Sequence, residues 1–184
     1  TSSASSLKGN HFLYLECETE FGDKPLTGTT FDVFIDSTTP FKNFSSDTSN
    51  HCTLVLPLQQ FYTVKFRKPG YITKIISVDT HMAEKNNKTN YYAHITAEMI
   101  EEIPGMDVPV LRYPIARLIF DFSEKKFTYD MEYTARGNEA ILRSYSDFET
   151  AKKEREKTAL KKDTVPQAKK DSAHPAQKVV FSIQ

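Results

Sequence analysis

The sequence predicts an all-β protein: an antiparallel, seven-stranded sandwich with an added β-hairpin and a C-terminal helix. Three observations predict it. Apolar and polar residues alternate with a period of two from His11 to about Tyr133. Turn-forming clusters break that alternation at short intervals. The period becomes helical only near Asn138. A strand with one apolar and one polar face has one side buried. Many such strands with no intervening helices build a sandwich rather than a parallel sheet.

Residues 1–10, opening with Thr1 to Lys8, are small and polar and read as a flexible N-terminus. They lack a starting Met and the apolar stretch of a signal peptide, as in a mature chain whose targeting segment has been removed. The sandwich is expected over residues 11–103. In Phe31–Asp36, Phe31, Val33 and Ile35 form one face and the aspartates the other; Cys52, Leu54 and Leu56, then Tyr62, Val64 and Phe66, repeat the pattern. Gly22-Asp23-Lys24-Pro25, Ser45-Ser46-Asp47, Pro69-Gly70 and Asn86-Asn87-Lys88 supply turns. A hairpin extension is expected over 104–137. In it Ala116, Leu118, Phe120 and Phe122 face Phe127, Tyr129, Met131 and Tyr133 across the turn Ser123–Lys126. A helix is expected over 138–162, capped by Asn138 and docked through Ile141, Tyr145 and Phe148, its second half in solvent. Residues 163–184 read as a linker and a strand-like tail.

Composition narrows the function. The 184 residues are 39% hydrophobic and 26% charged, enough for a real core under a wet surface. Lys plus Arg and Asp plus Glu number 24 each, so the surplus of cations that nucleic-acid binding requires is missing. No apolar run approaches the ~20 residues of a transmembrane helix. His11, His51, His81, His94 and His174 show no metal-ligand spacing. His51 and Cys52 are adjacent, so on a strand they point to opposite faces. No nucleophile elbow, P-loop or dinucleotide glycine motif is present. Asp121 and Asp130 would face each other across the late hairpin, on a flat solvated face without the cleft that tunes paired carboxylates. The expectation is a chain that is not an enzyme and takes no cofactor or metal.

The order Gly22-Asp23-Lys24-Pro25-Leu26, an Asp-bearing turn, Cys52-Thr53-Leu54-Val55-Leu56-Pro57, then Tyr62 to Tyr71 with Lys68-Pro69-Gly70-Tyr71, resembles the carboxypeptidase regulatory-like (transthyretin-like) domain of exported Bacteroidota envelope proteins. The likeness covers residues 12–100, with Asn50 where the family's turn has Gly; Asn tolerates the left-handed conformation. The resemblance implies a transthyretin/Ig-like sandwich without catalysis. It also implies an extracytoplasmic place, in the periplasm or the outer-membrane-associated envelope. The implied role is a structural or protein-interaction subunit whose partner is another envelope protein or complex. The rival is a glycan- or peptide-binding accessory module serving an outer-membrane transporter or enzyme.

Candidate residues follow. Cys17 and Cys52 both fall on inward faces, and two readings stand: two separate buried thiols, or a disulfide, as suits an exported chain with an even count. Phe34, Phe41 and Phe44 break the pattern and are contact candidates. Asp163-Thr164-Val165 and Asp171-Ser172-Ala173 are similar to the Bacteroidota O-glycosylation acceptor, at Thr164 and Ser172. Val179, Val180, Phe181 and Ile183 form a strand-like end suited to pairing with a partner's sheet edge.

Overall fold

The computed structural model describes residues 11–46 and 49–163. Its strands are β1 (Phe12–Phe21), β2 (Lys24–Pro25), β3 (Thr29–Ile35), β4 (Thr39–Ser46), β5 (His51–Pro57) and β6 (Phe61–Arg67). They continue with β7 (Tyr71–Ile72), β8 (Lys74–Asp79), β9 (Tyr91–Glu98), β10 (Ile100–Glu101), β11 (Ala116–Asp121) and β12 (Lys126–Tyr129). A 3-10 turn spans Pro109–Arg112, and one helix, α1, spans Met131–Asp163.

In the smaller main sheet β1 is central, antiparallel to β5 and parallel to β9, with β2 at its end. The larger sheet has the order β12-β11-β8-β6-β3-β4. It is antiparallel except where β11 runs parallel to β8. Both sheets are therefore mixed, which corrects the expectation of seven antiparallel strands. The parallel partners enter after long excursions, and alternation along one strand carries no sign of its neighbour's direction. β11 and β12 pair as a hairpin at one end of the larger sheet and so extend it.

The alternation does what it should. Leu13, Leu15 and Cys17 on β1, Leu54 and Leu56 on β5, Phe31 and Val33 on β3, and Val64 and Phe66 on β6 lie between the two sheets with at most 1% exposure. Fully burying each Leu or Phe contributes about 1.5–3 kcal/mol. Ile35, at the end of β3, is only partly buried, because Asp36 and Ser37 turn away with positive φ. Tyr62 is completely buried and its hydroxyl donates to the Pro57 carbonyl at 2.8 Å, so no polar atom is stranded.

The late segment departs from the expected hairpin. α1 begins at Met131, not Asn138. Asp130 Oδ1 accepts from the Tyr133 amide at 3.0 Å and the Asp130 carbonyl accepts from the Thr134 amide at 2.9 Å, a capped first turn. Met131 is accordingly exposed, and Phe122 lies exposed beyond β11 instead of joining the apolar set. The start of α1 is fixed by Tyr133, whose hydroxyl donates to the Pro114 carbonyl at 2.7 Å and whose ring carries the Arg117 guanidinium 4.5 Å from its centre. Ile141 joins Val108, Leu111 and Ile115 in a small second core, with Tyr145 packed against it. The chain divides after Phe148 into two units. In the second, α1 continues from residue 149, and the side chains of residues 149–159 are exposed.

Candidate functional site

Two outward sheet faces carry the chemistry. On the larger sheet, Asp32 is 8% exposed and accepts from the Asn43 amide and from the Arg67 guanidinium. Beside it the Lys65 ammonium stands 4.7 Å from the Phe34 ring centre. Phe41 leans toward the core instead, its ring 5.6 Å from that of Tyr62. Phe44 is paired through its backbone with Phe31; its side chain lies outside the described set. A groove of about 510 Å³ runs along Asp32, Phe34, Phe41, Lys65 and Arg67. Of the three sequence candidates the structure brings Phe34 and Phe41 to one groove, with Phe34 held under a cation.

The other face was not singled out by sequence reasoning. Register places Tyr14 of β1 beside Tyr92 of β9, with ring centres 5.1 Å apart and planes inclined by 15°. Tyr92 is 75% exposed. The next outward row along the strands is Thr53, Glu16 and His94, and the one after it is His51, Glu18 and Thr96. His94 Nε2 stands 3.2 Å from a Glu18 carboxylate oxygen. Tyr14, Glu16, Thr53, Tyr92 and His94 line a groove of about 480 Å³. The signal was present: inward Leu13, Leu15 and Cys17 force Tyr14 outward. The Tyr91-Tyr92 doublet must put one ring on each face, and Tyr91 packs edge-on against Phe120 at 5.1 Å.

Between the sheets and the start of α1 lies a cavity of about 540 Å³ lined by Phe21, Lys74, Glu98, Met99, Ile141 and Tyr145. Burial pushes the Lys74 amine below its ordinary value, and the nearby Glu98 carboxylate partly restores it.

Cys17 and Cys52 sit directly opposite each other on β1 and β5, both as free thiols, Cys17 fully buried and Cys52 partly so. Asp121 and Asp130 are not brought together. Asp121 lies opposite Lys126 and accepts from the Ser123 amide and hydroxyl and the Glu124 amide; these hydrogen bonds hold its carboxyl below the ordinary value. Among the described residues no three His, Cys, Asp or Glu side chains gather in a way that could hold a metal ion. Thr164, Ser172, Val179, Val180, Phe181 and Ile183 lie outside the described residues. Among the described residues no helix is long and apolar enough to cross a membrane.

No family model and no curated protein matches the chain. Solved structures similar to it include the Bacillus anthracis TIE protein, 14% identical over 50% of this chain and 18% of that one, with a TM-score of 0.41. A group B streptococcus pilus 2b backbone protein is 12% identical over 48% and 40%, with a TM-score of 0.32. The catechol 1,2-dioxygenase of Acinetobacter sp. ADP1 is 14% identical over 61% and 60%, with a TM-score of 0.39. The chain spans less than two thirds of each of these. The likeness is one of β-rich fold and transfers no activity. The expectation that the chain is not an enzyme is withdrawn, because catechol 1,2-dioxygenases stand among the similar structures.

Proposed function

We propose that this chain is a structural or protein-interaction subunit of an extracytoplasmic, envelope-associated assembly, of the carboxypeptidase regulatory-like kind that residues 12–100 resemble. In this reading the two sheets are the scaffold, and the chain from Glu149 onward meets another envelope protein. One observation carries it: from residue 149 to residue 159 every side chain of α1 is exposed. Lys152, Lys153, Glu154, Arg155, Glu156 and Lys157 give that stretch no apolar stripe. A helix polar all round gains little from its own propensity and earns its place by bridging to something else. The strand-like residues Val179 to Ile183 supply a second contact in this proposal, by pairing with a partner's sheet edge.

The test compares the full chain with one ending at Phe148, both expressed in the native host and purified from its membranes. The reading expects a partner that accompanies only the full chain, while both forms melt at the same temperature. Equal recovery of the partner with the shortened chain defeats it.

A second reading is favoured by the Tyr14–Tyr92 pair: a glycan or peptide docking on the exposed ring of Tyr92, with Glu16, Thr53 and His94 as polar neighbours.

A further inference from the structure

The antiparallel register of β1 and β5 sets Cys17 opposite Cys52. Two residues along, the Thr19 amide donates to the Asn50 carbonyl at 2.8 Å, which marks Thr19 and Asn50 as a hydrogen-bonded pair. Pair type repeats every second residue, so Cys17 and Cys52 are also such a pair, with α-carbons about 5.5 Å apart. That separation lies inside the range a disulfide spans, roughly 4.4–6.8 Å, and the two side chains leave the sheet on the same face. The chain has no other cysteine.

The two thiols are not equivalent. Cys17 is fully buried, and burial pushes its thiol well above the ordinary value. Cys52 is partly exposed, and the neighbouring Cys17 thiol lowers that of Cys52 despite some burial. A thiol that is reachable and readily ionised attacks; one that is shielded and stays protonated waits.

We propose that Cys52 and Cys17 form a thiol–disulfide exchange pair, with Cys52 attacking an external disulfide and Cys17 resolving the adduct into a cross-strand disulfide. In the first step the Cys52 thiolate attacks one sulfur of RS–SR. A Cys52–SR bond forms, the S–S bond breaks, and RS⁻ leaves and takes up the proton Cys52 released. In the second step Cys17 gives up its proton and attacks the Cys52 sulfur, and the second RS⁻ departs as RSH. The protein loses two protons and two electrons, and RS–SR becomes two RSH. The product ties β1 to β5 and closes the segment from Glu18 to His51, which supplies Asp32, Phe34 and Phe41 to the Phe34 groove. It is independent of the interaction function proposed above.

The experiment uses the full chain, reduced and desalted, exposed to oxidised glutathione and quenched with iodoacetamide at intervals. Intact mass and peptide mapping follow both cysteines. The expected course is a transient single glutathione adduct on Cys52, then a species two hydrogens lighter that takes no alkyl group. The oxidised protein should melt about 5 °C or more above the reduced one. Cys17→Ser should accumulate a stable Cys52 adduct, while Cys52→Ser should stay unmodified as long as it is folded. The wild-type time course decides the matter even if a variant folds poorly. First modification at Cys17, two stable adducts, or two alkylatable thiols after prolonged oxidation each overturn the proposal.

Discussion

Gly137 of α1 lies against the Ile115 carbonyl so closely that a β-carbon built on it would stand 2.3 Å from the oxygen. The helix approaches the main chain before β11 with nothing between them, and only glycine permits that approach. Gly137→Ala therefore sets two effects against each other. Alanine gains about 1 kcal/mol of helix propensity over glycine. The forced shift of backbone against backbone costs about 1–3 kcal/mol. The clash should win, and a denaturant titration should show a net loss of up to about 2 kcal/mol. A gain in stability would mean that the helix does not seat there.

Tyr92→Ala separates surface function from folding. The ring is 75% exposed and loses only its stack on Tyr14, so stability should change by less than about 1 kcal/mol. If the groove beside it takes a glycan or a peptide, nuclear magnetic resonance titration with a soluble oligosaccharide or peptide library should show shifts around Glu16 and Thr53. Those shifts should vanish in the variant. Identical shifts in both proteins would place the ligand elsewhere.

Alkaline pH should weaken the fold through Tyr129. Burial, with a further contribution from Cys17, pushes its phenol up to about 12. A raised value means that the folded state holds the neutral form more tightly than the unfolded chain does, where ionisation begins near 10. The stabilisation is complete below pH 10 and is lost as pH rises toward 12. Denaturant midpoints measured across that range should fall less steeply in Tyr129→Phe. A residual slope should remain, because burial raises Tyr62 and Cys17 in the same direction.

What the sequence shows and what it hides follow from the range of each interaction. Phe31, Val33, Leu54, Leu56, Val64 and Phe66 announce their burial because alternation is a property of a single strand. The pairing of β1 with β9, or of β8 with β11, joins residues far apart in the chain, and no local pattern encodes it. The facing of Cys17 by Cys52 is invisible for the same reason, since it depends on register between two strands. The outward direction of Tyr92 follows from parity, but its stacking on Tyr14 depends on the β1–β9 register and has no local sign. Phe34 was legible as out of pattern, but nothing local showed that Lys65 would cover its ring.

The helix start gives the last test, because there the sequence offers two answers. Tyr129, Met131 and Tyr133 alternate with Asp130 and Glu132, which reads as a strand and pushes the cap to Asn138. The structure starts α1 at Met131 and makes Asp130 the capping residue. The two answers differ on one measurement. Asp130 also places a carboxylate at the positive end of the helix, and its own amide donates to the Arg117 carbonyl at 2.8 Å, locking the cap to β11. Asp130→Ala removes the side-chain acceptor of the Tyr133 amide and should cost about 1 kcal/mol, within the roughly 0.5–2 kcal/mol typical of lost caps. Asn138 is exposed inside the helix, where alanine is the better helix former, so Asn138→Ala should hold or raise stability by a few tenths of a kcal/mol, roughly. Thermal melts of the two variants decide between the starts. If Asn138→Ala loses stability while Asp130→Ala is silent, the helix begins seven residues later and Met131 and Tyr133 belong to a strand.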